Sequence, residues 1–63
     1  MKLGEVKVGD LISTEWGLAR VMEILAPAFC SCIILSSTGR DKTSQGDWIY
    51  LRGLALERAK TIV

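Results

Sequence analysis

A small all-β fold, five short strands closing into a barrel around one core, is the fold class this sequence predicts. Apolar, β-rich runs of four to eight residues recur along a chain of only 63 residues. Gly-Asp, Ala-Pro-Ala and a long polar stretch separate them, and these are turn and loop compositions. No internal repeat, low-complexity tract or linker interrupts residues 1–63, so they read as a single small barrel domain.

Glu5-Val6-Lys7-Val8 alternates and meets Gly9-Asp10, a turn pair in which the Asp10 carboxylate is suited to accepting backbone N–H bonds rather than to catalysis. Leu11-Ile12-Ser13 follows as a short strand. Thr14-Glu15-Trp16-Gly17 reads as a loop, with Gly17 free to take a positive φ. Leu18 to Leu25 supports two readings. Leu18, Val21, Met22 and Leu25 fall at i, i+3, i+4 and i+7, one face of a helix that Thr14 would cap and Pro27 would stop. Ala19 and Val21 alternate with Arg20 and Met22, as in a strand, and Gly17 inside a helix would cost about 1 kcal/mol relative to alanine. Strand is the reading adopted.

Ala26-Pro27-Ala28 breaks the chain before Phe29–Ser36, the clearest strand. One face carries Cys30, Cys32 and Ile34, the other Phe29, Ile33 and Leu35, so cover is expected on both sides. Ser37 to Asp47 is polar throughout and reads as a mobile hairpin connection. Trp48-Ile49-Tyr50-Leu51 is an aromatic-rich strand, Gly53 a turn, Leu54-Ala55 one 3-10 turn, and Leu56 to Val63 a last strand.

Val8-Gly9-Asp10-Leu11-Ile12 followed by Gly17-Leu18-Ala19-Arg20-Val21 resembles the opening of many Src-homology-3-like barrels, such as KOW and Tudor modules. Ile49-Tyr50 with Ala55-Leu56-Glu57-Arg58 is similar to the tail of the plasmid-borne type II dihydrofolate reductases, which are homotetramers of such barrels. That resemblance implies a pore built on a Val-Gln-Ile-Tyr strand with a lysine from the first strand. Here Asp47 replaces the valine, Trp48 the glutamine, and Thr14 falls near the expected lysine, which removes the amide and the cation the chemistry needs. The resemblance implies the shape and not the reductase activity.

Composition narrows the function. The chain is too short for a doubly wound nucleotide fold or a separate catalytic domain. Its apolar runs end far short of the roughly 20 residues that cross a bilayer, and no apolar stretch follows Lys2 as in a signal peptide. The expectation is a cytoplasmic protein with no membrane contact and reduced thiols. Eight Lys/Arg interleave with seven Asp/Glu for a net charge of +1, which supplies no basic stripe for duplex nucleic acid. Against this, 49% hydrophobic residues is much for so small a domain, and points to association.

Cys30 and Cys32 lie on one strand face with Cα atoms roughly 6.5–7 Å apart, at the limit for a disulfide. Two thiolates without histidine fall short of a structural zinc site and lack the usual base for a nucleophile, so buried thiols are expected. Asp47 and Glu57 form no acid/base pair. No catalytic residue, cofactor or metal is assigned. Trp16, Trp48 and Tyr50 with Arg40 and Lys42 form the candidate binding surface; Arg52 is a further cation within reach of phosphate. The packing alternative has Trp48 closing the barrel. Phe29, Ile33 and Leu35 form the candidate oligomer interface, because leaving such side chains in water forgoes roughly 1.5–3 kcal/mol each. The function expected is therefore a non-catalytic barrel module that self-associates, forming a homo-oligomer, or docks on a partner protein. A nucleic-acid-binding barrel is the first alternative, and a subunit of an oligomeric reductase the second.

Overall fold

The computed structural model describes residues 6–62 and is all-β: one antiparallel five-stranded sheet, one 3-10 turn and one short helix. Its elements are β1 (Leu11–Thr14), β2 (Gly17–Ala26), β3 (Phe29–Ser37), β4 (Trp48–Arg52), α1 (Leu54–Arg58) and β5 (Lys60–Thr61). The strand order is β4-β3-β2-β1-β5, which makes β4 and β5 the two edges. Ile12, Val21, Cys30, Cys32, Ile34 and Leu51 are fully buried. They form one core with Val6, Leu56 and Ala59, which lie outside the strands. Among the described residues no helix is long and apolar enough to cross a membrane.

Turn chemistry sets the β1–β2 hairpin. Thr14 pairs with Gly17 across a two-residue turn, and the Thr14 hydroxyl accepts the Trp16 N–H (3.1 Å) while donating to the Gly17 carbonyl (2.9 Å). Gly17 has φ +123°, and a Cβ there would fall on the Ser36 carbonyl oxygen of β3. Leu18–Leu25 is strand, as read. Its helical spacing marks no single buried face: Val21 is buried while Met22 and Leu25 are exposed, and the β2–β3 register shifts between Val21 and Glu23, leaving Met22 unpaired. Such a bulge interrupts the two-residue alternation of the strand.

Several expectations change. Val6-Lys7-Val8 is not strand, while Glu5 lies outside the described residues. Val6 joins the core and the next residues form a turn, in which Asp10 Oδ2 accepts the Lys7 N–H at 2.9 Å. The Gly9 N–H donates to the Val21 carbonyl and the Val21 N–H to the Asp10 carbonyl, so the ladder between β1 and β2 continues into this corner. The turn expected at Leu54-Ala55 is instead the five-residue α-helix Leu54–Arg58. Leu, Ala, Glu and Arg are all strong helix formers, and the helix places Leu56 on the core. The last strand shrinks to Lys60–Thr61, with Val63 outside the described residues. The polar Ser37–Asp47 stretch is internally bonded: the Ser37 hydroxyl donates to the Thr43 carbonyl (2.7 Å) and accepts the Gly39 N–H (2.9 Å).

Candidate functional site: an aromatic groove along an edge strand

Parity on β4 sorts its side chains. Cys30 faces Leu51 and Cys32 faces Ile49, so Ile49 and Leu51 point into the core. Trp48, Tyr50 and Arg52 must then point outward, and Trp48 and Tyr50 are 55% and 58% exposed. This corrects the packing alternative: Trp48 closes nothing, because Ile49 holds the inward position. On the same outer face Phe29, Ile33 and Leu35 of β3 are half-buried. The Phe29 and Tyr50 rings meet at 5.6 Å with a 46° tilt, a favourable offset aromatic geometry. Ser31, opposite Tyr50 and Glu23, is buried under this layer. The cover expected over the outer face of β3 is thus partial.

An open groove of ≈ 480 Å³ is lined by Trp16, Phe29, Trp48, Ile49, Tyr50 and Arg52. Four of these are residues of β4 drawn from both of its faces, so the groove follows the strand rather than sitting on one side of the sheet. Arg52 is the only charged residue in the lining.

Trp16 contributes a wall and also a clamp. Its indole N–H donates to Asp41 Oδ2 at 2.8 Å, and its carbonyl accepts the Thr38 N–H at 3.1 Å. These bonds fasten the β1–β2 turn to the 3-10 turn at Arg40–Lys42, where Asp41 and Lys42 both adopt positive φ (55° and 62°). Arg40 lies 4.0 Å from both Glu15 and Asp41 carboxylate oxygens. The structure therefore brings Trp16, Trp48 and Tyr50 together with Arg52 in one groove, while Arg40 and Lys42, on the turn that Trp16 fastens through Asp41, lie outside its lining.

Cys30 and Cys32 are free and fully buried. Burial raises both thiol pKa values; Cys32, next to Cys30, is pushed up to about 12. Neither thiol is a nucleophile near neutral pH. Among the described residues no three His, Cys, Asp or Glu side chains are grouped as metal ligands would be.

The backbone of β4 adds what sequence reasoning missed. The Ile34 N–H donates to the Asp47 carbonyl at 2.9 Å while the Ile34 carbonyl accepts the Gly46 N–H at 2.8 Å, so Ile34 faces a bulge, Gly46-Asp47, and the Ile34–Asp47 bond marks 34/47 as a bonded position of the ladder. Alternation along the regular register makes 32/49 and 30/51 bonded pairs as well. The N–H and C=O groups of Trp48, Tyr50 and Arg52 therefore point away from β3, toward the open edge. Only strand order reveals this, and no local signal in the chain carries strand order. Compared with known proteins, the chain matches no family model, no curated protein and no solved structure.

Proposed function

We propose that this chain is a non-catalytic interaction module that self-associates through the apolar outer face of β3 and β4. The carrying observation is that Trp48 and Tyr50, more than half exposed, flank a groove on an edge strand beside half-buried Phe29 and Ile33. Aromatic residues in that position are the anchors from which interfaces gain most. Docking on a partner protein is the other use of the same face. The interleaved charges, +1 net with no basic stripe, weigh against the nucleic-acid alternative, because phosphate neutralisation supplies most of such affinity. The reductase alternative has no support from the groove, where exposed Trp48 stands in place of the pterin-binding amide. A cytoplasmic setting suits two free thiols.

The test is light scattering across a hundredfold dilution series of the wild type and Ile33→Lys. Ile33 lies between Arg20 and Trp48 on the outer face, so a lysine there places charge in the contact without entering the core. A wild-type mass above that of the 6.9 kDa protomer, reduced in the variant, supports the reading. A mass that stays at the protomer value throughout overturns it. Salt-sensitive retention on heparin would favour the nucleic-acid alternative instead.

A further inference from the structure

We infer that the occupant of the groove is β4 of a second copy, paired antiparallel and centred on Tyr50, so that two sheets become one across a two-fold axis. This rests on the self-association proposed above and moves its contact from the outer face to the adjoining edge of β4, with a stated register.

Three independent features of β4 converge on this pairing. Its edge is thinly defended: Trp48-Ile49-Tyr50-Leu51-Arg52 carries no proline and pairs with β3 in unbroken register, the bulge at Gly46-Asp47 lies before it, and its one charge, Arg52, stands at the far end. Its unused backbone groups are regularly spaced. With Tyr50 opposite the partner's Tyr50, Trp48 lies opposite the partner's Arg52. Every N–H and C=O that Trp48, Tyr50 and Arg52 direct away from β3 then finds a complement. Its side chains match themselves. On the outer face the strand's single charge, Arg52, lands beside the partner's Trp48, a cation–π arrangement repeated by symmetry, and no like charges face each other. Tyr50 meets the partner's Tyr50, extending the Phe29–Tyr50 ring contact across the axis. On the inner face Ile49 lies opposite the partner's Leu51.

Register is selective. Slipping by one residue opposes groups already bonded to β3 with groups that are free. Centring on Ile49 sets Arg52 against Gly46 in the loop, and centring on Leu51 sets Trp48 against Leu54 in α1. Only Tyr50 at the centre uses the whole strand. The pairing is isologous and closes as a dimer.

Two edge variants test it. Tyr50→Cys places two thiols on opposed residues whose Cα atoms would be about 5.5 Å apart in a hydrogen-bonded pair, within the range for a disulfide. With oxidised glutathione as oxidant, it should form a covalent dimer at least tenfold faster than Leu54→Cys, an exposed control off the strand; Cys30 and Cys32 are buried in both. Tyr50→Pro removes an N–H that bonds nothing within the protomer, so the β-type circular dichroism should persist while the mass falls to that of the protomer. If the wild type is oligomeric but Tyr50→Cys cross-links no faster than Leu54→Cys, edge pairing is wrong and self-association uses another face. If the folded Tyr50→Pro variant stays oligomeric, edge pairing is equally wrong. A wild type that is protomeric at every concentration removes both proposals.

Discussion

Replacing Gly17 with alanine should be among the most damaging single-methyl additions to this protein. Gly17 holds φ +123°, and an added Cβ would overlap the Ser36 carbonyl oxygen and lie 3.1 Å from the Ser36 carbonyl carbon and the Ser37 Cα. The conformation costs an L-residue on the order of 1–3 kcal/mol. Moving packed backbone to relieve the overlap costs about 1–3 kcal/mol more. The sum, about 4 kcal/mol, is comparable with the whole stability of a domain this size, roughly 3–9 kcal/mol. Gly46 separates the two contributions. It has φ +90° and open space where a Cβ would go, so Gly46→Ala should lose only the conformational part, about 1–2 kcal/mol. Thermal unfolding followed by circular dichroism reads the difference. At about 4–8 °C per kcal/mol for a small domain, Gly17→Ala should melt at least about 10 °C below Gly46→Ala, or not fold at all. Equal melting temperatures for the two variants would refute the argument that the β1–β2 turn is packed against β3 backbone.

Cys30 and Cys32 should resist a thiol reagent in the native state and react fully once urea has unfolded the chain; rapid labelling of both in the folded protein would contradict their burial. Because the Cys32 pKa is raised from 9.0 to about 12 in the fold, its contribution to stability is whole below pH 9 and is lost as pH rises toward 12. The loss runs at up to about 1.4 kcal/mol per pH unit. Urea midpoints at pH 8 and pH 10.5 should therefore diverge more for the wild type than for Cys32→Ala. Asp41→Ala removes the acceptor of the Trp16 indole N–H and puts alanine at positive φ, which should cost about 1–3 kcal/mol and change Trp16 fluorescence; an unchanged emission spectrum would show that the clamp is absent in solution. Far-UV circular dichroism should show helix confined to a five-residue segment such as α1, and helix near a third of the chain would contradict the fold.

The sequence by itself determined the elements that depend on near neighbours. Short apolar, β-rich runs bounded by turn residues marked β1, β3 and β4, Pro27 ended β2, and Gly9-Asp10 made a corner, because turn and strand preferences are settled within a few residues; the alternation of Val6-Lys7-Val8 did not make a strand. That Cys30 and Cys32 share one face was legible from their i, i+2 spacing, and their core reading rested on the general burial of free cysteine; which face of the strand is inner was settled by the fold. Tertiary structure decided what local pattern left open. The bulge at Met22 broke the alternation of β2, and nothing local announces it, since a bulge is defined only by the strand opposite. Parity placed Ile49 inside and Trp48 outside, although both are apolar, because Ile49 lies opposite Cys32 while Trp48 lies opposite Ile33 on the outer face. The helix Leu54–Arg58 replaced the expected 3-10 turn and the first three residues of the expected strand, placing Leu56 on the core. Arg40, promising as part of a basic cluster, acquired Glu15 from a turn 25 residues earlier. The open edge of β4 was invisible in the sequence: whether a strand's outward N–H and C=O groups are paired depends on which strands lie beside it, and strand order follows from the closure of the whole chain around one core.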